Sequence, residues 1–178
     1  MPRNLEYVPY GYEPPKPTTK GTLIFYDLFE QVQEDLEQAA AILEERSFVK
    51  LVLYPLHEET AKRMFKEPVS PYYKREKQLQ EWIEDHAGAS VVIEPFESKR
   101  KKYTPIDTAL RHLAEKYGSP HFLVLTPEMA NAFASFSSFE EWIVKLRLIL
   151  LSEPPYLHPR LEKFRHRWDV AGDKGEER

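Results

Sequence analysis

Short apolar runs alternate along the chain with longer segments in which apolar residues recur at helical spacing. Four such runs lie at 23–26, 48–54, 90–93 and 121–125. Their apolar residues are largely continuous rather than alternating, which is typical of strands that are buried on both faces of a parallel sheet. We therefore predict a strand at each of these four places.

The intervening segments predict helices, because their apolar positions follow the 3.6-residue period and capping residues precede several of them. Asp27 and Glu30 form a capping box before the first helix, and Ser70 and Ser138 are N-caps of two others. The predicted helices are 28–43, 57–66, 71–86, 105–117 and 139–150. Strands that alternate with helices predict an α/β fold, a three-layer αβα sandwich around a mostly parallel sheet of about four strands.

The chain divides into four parts. Residues 1–20 are predicted to form an extended arm, because the five prolines between positions 2 and 17 exclude a helix or a central strand. The three tyrosines in the same stretch indicate that the arm lies on the domain. Residues 21–155 form the α/β domain. Residues 156–170 predict a C-terminal amphipathic helix that docks on the domain, and residues 171–178 predict a disordered tail, being charged and without an apolar period.

The predicted C-terminal helix carries an apolar stripe beside basic residues. Leu157, Leu161, Phe164 and Trp168 fall on one helical face. This stripe either packs on the protein's own domain or binds a partner, including a second copy of the chain in a homodimer. The tyrosine-rich arm is a second candidate for such contacts.

Composition limits the classes of partner and compartment. The chain has 178 residues, no cysteine and a net charge of −4, so it contains neither a disulfide framework nor a thiolate metal site. The first apolar stretch, 23–25, is too short for a secretory signal, and the longest uninterrupted one, 39–43, is too short for a membrane span. We expect a cytoplasmic protein with no membrane segment, and the negative charge disfavours a nucleic acid as its partner.

Polar residues follow the predicted strands, where parallel α/β sheets bind their ligands. Asp27 follows the first strand, His57 the second, Glu94 the third and Thr126 the fourth. Asp27, His57 and Glu94 are candidate pocket residues, and together they are suited to hold a divalent metal or to act as an acid–base group. The structural alternative is a helix cap for Asp27, a first helical turn for His57 and solvent exposure for Glu94.

A run of four basic residues after the third strand is the densest charged feature. Lys99, Arg100 and Lys102, with Thr104 at the predicted start of a helix, form a candidate phosphate-binding loop, because a helix N-terminus attracts anions. The alternative is a solvent-exposed loop whose positive charges balance the negative charges of nearby carboxylates. The six glycines form neither a P-loop nor a dinucleotide-binding motif, so any phosphate would be held by side chains and a helix end.

In outline this layout resembles the small nucleotide-binding α/β domains of the universal-stress and nucleotidyltransferase type. The H-x-G-H element of the nucleotidyltransferases and the glycine-rich loop of the ATP-binding stress proteins are absent from the sequence. The first functional hypothesis is therefore binding of a nucleotide or another phosphorylated small molecule at the carboxyl edge of the sheet. The cofactor is unknown, and the residues leave open whether the ligand is turned over.

Two other hypotheses remain. The protein is alternatively a non-enzymatic interaction or regulatory protein that acts through its aromatic arm and C-terminal helix. The third hypothesis is a metal-dependent nuclease or hydrolase, because Glu97-Ser98-Lys99 has the E-x-K form in which an acid and a lysine flank a scissile phosphate. In such enzymes the segment lies within a strand, whereas here it follows Pro95.

Overall fold

Six parallel strands form one sheet in the computed structural model, which describes residues 21–30, 33–86 and 90–172. The strands are β1 (Thr22–Asp27), β2 (Lys50–Pro55), β3 (Val91–Ile93), β4 (His121–Leu125), β5 (Arg147–Leu150) and β6 (Trp168–Val170). Their order in the sheet is β3-β2-β1-β4-β5-β6. The predicted α/β fold is confirmed, with six strands where about four were expected.

Helices cover both faces of the sheet. They are α1 (Gln33–Glu45), α2 (Glu58–Met64), α3 (Tyr72–His86), α4 (Phe96–Arg100), α5 (Ile106–Lys116), α6 (Pro127–Ala134), α7 (Phe139–Ile143) and α8 (Pro159–Lys163), with a 3₁₀ turn at Arg165–Arg167. One buried cluster joins the sheet to α1 and α3, and a second joins it to α5, α6, α7 and α8. The molecule is therefore a three-layer αβα sandwich.

The central strand β1 shows why these apolar runs are continuous. Leu23 and Phe25 belong to the cluster on the α1 side, whereas Ile24 and Tyr26 belong to the cluster on the opposite side. All four side chains are at most 1% exposed. A strand with helices on both faces needs apolar residues at every position.

The strand order locates the place where ligands usually bind in such folds. The chain runs outwards from β1 through β2 to β3 and then returns to lay β4 beside β1 on the other side. The order therefore reverses between β1 and β4, and their carboxyl ends form the topological switch point. The amino-acid pattern predicts the strands but not this order.

The prediction of one helix over 139–150 is wrong. Only Phe139–Ile143 is helical, and Arg147–Leu150 is strand β5, which pairs with β4 in parallel register. The apolar residues of β5 fit a buried strand as well as a helical face, so their period alone does not distinguish the two.

The prediction of one amphipathic helix over 156–170 is also wrong. The segment contains the five-residue helix α8 and then strand β6, which pairs with β5. Leu161 and Trp168 of the predicted stripe are buried in the domain, and Trp168 Nε1 donates a hydrogen bond to the Leu161 carbonyl at 2.8 Å. The domain therefore extends beyond residue 155 to include β6.

The predicted arm, residues 1–20, lies outside the described residues, as do residues 173–178 of the predicted tail. Within the described part of the chain, none of the helices has both the length and the apolar character needed to cross a bilayer.

Trp168→Ala is expected to lower the free energy of unfolding by about 3–5 kcal/mol, because it empties a buried indole site and removes the hydrogen bond to Leu161. The measurement is urea unfolding at neutral pH. Tyr156→Ala is the matched control, because the Tyr156 side chain is 62% exposed, and its cost is expected to stay below about 1 kcal/mol. A Trp168→Ala cost no larger than that of the control would contradict the inclusion of β6 in the folded domain.

Candidate functional site

The loop after β1, at the switch point between β1 and β4, contains a buried aromatic side chain. Asp27 is the last residue of β1 rather than the cap of α1, and its Oδ2 accepts a hydrogen bond from Phe29 N at 2.8 Å. Phe29 has a φ of 64° and is buried against Phe25, with ring centroids 4.8 Å apart. Dinucleotide-binding turns have glycine in this loop so that a diphosphate can approach the backbone. Here the Phe29 ring packs inside the loop, and the turn contains no glycine.

The same region has acidic rather than basic character. Burial, together with the carboxylates of Asp35 and Glu128, raises the pKa of Asp27 to about 7, against the hydrogen bond from Phe29 N. Burial and the neighbouring carboxylates of Glu34 and Glu128 also raise the pKa of Asp35. A site that already disfavours its own negative charges disfavours a phosphate, so an anionic ligand is better placed elsewhere along this edge.

The basic run does not form the predicted loop at a helix N-terminus. Its first two residues, Lys99 and Arg100, are the last residues of α4, and Lys101 ends this helix in the left-handed conformation. Thr104 does not cap α5, because Pro105 takes the N-cap position. The Thr104 hydroxyl instead accepts a hydrogen bond from Arg100 Nε at 2.9 Å. Thr104 is fully buried, whereas Lys99, Lys101 and Lys102 are exposed. The lysines are thus available to a ligand, and Thr104 is not.

A buried carboxylate holds α4 against α2. Glu97 has no exposed surface and accepts hydrogen bonds from Tyr54 Oη at 2.7 Å, His57 N at 2.7 Å and Thr60 Oγ1 at 2.8 Å. Thr60 Oγ1 in turn accepts the N–H of Thr104 at 2.9 Å. Burial raises the pKa of Glu97, and its three hydrogen bonds oppose that shift. Because Glu97 is sealed inside the domain, it is not placed to flank a scissile phosphate as the E-x-K hypothesis requires.

An open cleft lies beside α2 at the carboxyl edge. We call it the α2 cleft; it has a volume of about 870 Å³ and is lined by residues 58, 59 and 62–69. The guanidinium of Arg63 lies 4.0 Å from the ring centroid of Tyr103, the residue that follows Lys102. Two basic segments that are far apart in sequence therefore meet. We call them the basic surface: Lys62, Arg63, Lys66, Lys99, Lys101 and Lys102.

The candidate residues Asp27, His57 and Glu94 are not brought together. Among the described residues, no hydrogen bond or ion pair links any two of the three. His57 is the N-cap of α2, with Nδ1 accepting the N–H of Glu59 at 3.1 Å. Across the described parts of the chain, no group of three His, Asp or Glu side chains has an arrangement that would hold a metal ion.

Glu94 is bound to α5 instead. Its carboxylate contacts His112 Nε2 at 3.1 Å, Lys116 Nζ at 2.8 Å and Tyr117 Oη at 2.7 Å. Burial alone would raise the pKa of Glu94, but these three hydrogen bonds outweigh it and hold the pKa below its usual value. The residue therefore anchors α5 to the end of β3.

The buried arginine of α3 was not among the predicted site residues. Arg75 is 1% exposed and donates hydrogen bonds from Nε to the Ser70 carbonyl at 2.8 Å, and from Nη1 to the carbonyls of Leu28 at 2.6 Å and Leu56 at 2.8 Å. It thus joins the loops that follow β1 and β2. The sequence holds one signal for it, because Arg75 lies four residues before buried Leu79 on the inward face of a predicted helix.

No model of a known protein family matches this chain, and no curated protein is significantly similar to it. The function is therefore inferred from the residues and their geometry.

Asp27→Asn is expected to stabilise the protein at pH 8 by about 2–4 kcal/mol and to have a smaller effect at pH 5. The pKa of Asp27 rises from 3.8 to about 7 on folding, so between these values the folded state binds a proton that the unfolded state has lost. The free energy of unfolding contributed by this group consequently falls as pH rises from about 4 to 7. The asparagine remains neutral and still accepts the N–H of Phe29.

Urea unfolding of both proteins at pH 5 and pH 8 measures the effect. Asp85→Asn is the control, because Asp85 is exposed on α3, and its effect is expected to be below about 0.5 kcal/mol at both pH values. An Asp27→Asn protein that is less stable than the wild type at pH 8 would show that the ionised carboxylate is favoured in the folded state.

Proposed function

We propose that the protein binds a phosphorylated small molecule in the α2 cleft, with its phosphate on the basic surface. The observation that carries this proposal is the convergence of two basic segments, 62–66 and 99–102, beside a cleft at the carboxyl edge. The contact of Arg63 with Tyr103 and the hydrogen bond from Thr104 N to Thr60 Oγ1 hold the segments together.

The local charge favours an anion although the whole chain carries −4. The cleft lining itself is balanced, with Lys62, Arg63 and Lys66 against Glu58, Glu59 and Glu67, so the excess positive charge comes from the exposed residues Lys99, Lys101 and Lys102. One of the carboxylates, Glu59, is already paired with Lys62 at 3.3 Å. A positive region on a negative protein attracts anions locally and repels them elsewhere, which supports selective rather than general binding.

The cleft also offers apolar surface for the rest of a ligand. Met64, Phe65 and Val69 line it and are partly buried. Ligand pockets commonly combine an apolar lining with a few charged groups that fix orientation. A small molecule with a phosphate and a less polar body fits this combination.

The proposed site uses part of the predicted set. Lys99 and Lys102 are exposed and belong to it, whereas Arg100 and Thr104 support the turn from inside. Asp27 lies at the switch point and Glu94 is bound to α5, so neither belongs to the α2 cleft.

The interaction hypothesis gains no support from the C-terminal segment. Leu161 and Trp168 of its stripe are buried in the domain, and Trp168–Val170 is the edge strand β6. A partner-binding helix needs a continuous apolar face, and this segment has none in the folded protein.

A thermal-shift screen of the full chain tests the proposed function. The probes are inorganic phosphate, nucleotides, sugar phosphates and a short single-stranded oligonucleotide, each with and without Mg²⁺. A phosphorylated probe at 100 times its Kd is expected to add about 2.7 kcal/mol of stability. For a domain of this size each kcal/mol raises Tm by roughly 2–4 °C.

The test variant is Lys99→Gln/Lys101→Asn/Lys102→Gln, which is expected to lose the shift. Asparagine is chosen at position 101 because the backbone φ there is 58°, which asparagine tolerates well. The matched control removes three positive charges elsewhere, as Lys50→Gln/Lys145→Gln/Lys163→Gln, and is expected to keep the shift. No stabilisation by any small phosphorylated probe, equal losses in both variants, or a shift with the oligonucleotide alone would contradict the proposal.

A further inference from the structure

Two buried polar atoms behind the α2 cleft face each other without a hydrogen bond. In the part of the chain that the structure describes, Glu58 Oε1 and Arg75 Nη2 are among four buried side-chain atoms that lack any hydrogen-bond partner. They lie 3.7 Å apart. Buried polar groups in folded proteins are nearly always paired, so a charged pair at this separation requires an explanation.

The arginine is held rigidly. Nε and Nη1 of Arg75 donate to three backbone carbonyls, those of Ser70, Leu28 and Leu56. Its side chain is 2% exposed. Only the hydrogens of Nη2 remain without an acceptor. Their positions are fixed, because the hydrogen bonds of Nε and Nη1 hold the planar guanidinium in place. Nη2 is therefore a preorganised donor with a positive charge at the carboxyl edge of the sheet.

A second donor lies at the same distance from this carboxylate oxygen. Nε2 of His57 is 3.7 Å from Glu58 Oε1. Nδ1 of His57 accepts the N–H of Glu59, so in the neutral ring the proton is on Nε2. Both N–H groups thus lie 3.7 Å from the same oxygen, which is too far for a hydrogen bond.

Glu58 connects this position to the cleft. It lines the α2 cleft, and its side chain is 31% exposed although Oε1 itself is buried. The carboxylate therefore occupies the position from which an anion in the cleft would reach Arg75. Displacement from this position would place the Glu58 carboxylate in solvent, where hydration replaces its 3.7 Å ion pair with Arg75.

On the premise that the α2 cleft binds a phosphorylated ligand, we propose that Arg75 Nη2 and His57 Nε2 are its phosphoryl-binding end. Glu58 occupies this end as an internal competitor when no ligand is bound. A phosphoryl oxygen that displaces Glu58 accepts hydrogen bonds from both nitrogens at about 2.8 Å, the length usual for charge-assisted bonds. The lysines of the basic surface then contact the remaining phosphoryl oxygens.

Titration calorimetry with inorganic phosphate tests this assignment in the full chain. Glu58→Ala is expected to tighten phosphate binding by at least about tenfold, because it removes both the competing carboxylate and a like charge close to the ligand. Glu59→Ala is the matched control, removing the same charge from the next residue of α2. Glu59 is exposed and paired with Lys62, so its removal is expected to change the Kd by less than about threefold.

A second substitution tests the hydrogen bond donated by His57 separately from general electrostatics. It leaves the carbonyl contacts of Arg75 unchanged. His57→Asn keeps a side-chain oxygen for the N-cap of α2 but has no group in the place of Nε2. In the Glu58→Ala protein, His57→Asn is expected to abolish most of the gain in affinity. Circular dichroism and thermal unfolding establish that each variant is folded.

The outcomes separate this inference from the proposed function. If the wild type binds phosphate but Glu58→Ala gains no more than Glu59→Ala, the competitor role of Glu58 is refuted and the cleft assignment stands. A gain in Glu58→Ala that His57→Asn leaves intact refutes the donor role of His57. If neither the wild type nor Glu58→Ala binds phosphate or any phosphorylated probe, both ideas are refuted.

Discussion

A carboxylate that is removed from water has to find hydrogen-bond donors inside the protein, and Glu97 finds three. They come from β2, from the N-cap of α2 and from α2 itself, and Thr60 extends the connection to Thr104. One buried group therefore fixes α2 against α4 and the residues before α5. The α2 cleft and the contact of Arg63 with Tyr103 depend on this arrangement.

Arg75 is another buried charge at this edge, and it differs from Glu97 in one respect. Glu97 accepts hydrogen bonds from three donors, whereas Nη2 of Arg75 makes no hydrogen bond and has only an ion pair with Glu58 at 3.7 Å. A group that only stabilises the fold gains from complete pairing, and Glu97 has the pattern expected of one. The incomplete hydrogen bonding of Arg75 and Glu58 is the observation on which the proposed phosphoryl-binding end rests.

Local pattern predicts those parts of the fold that neighbouring residues determine, such as β1 to β4 and most of α3. It assigns Arg147–Leu150 to a helix, because their apolar residues fit either period and only pairing with β4 decides between them. Local pattern also does not distinguish exposed Lys99 from buried Thr104. The burial of Thr104 involves a distant residue, because its N–H donates a hydrogen bond to Thr60, which is 44 residues away in the sequence. Strand order and the unpaired nitrogen of Arg75 likewise depend on contacts between distant segments.

The Phe29 ring in the first turn affects how this chain is to be compared with other proteins. Dinucleotide-binding domains of the same strand order hold the cofactor's diphosphate at the turn after the first strand. In this chain the Phe29 side chain of that turn is buried, so the strand order alone does not support transferring such a ligand to this position. Comparisons based on the loops after β2 and β3, rather than on the sheet, are the ones that bear on the ligand proposed above.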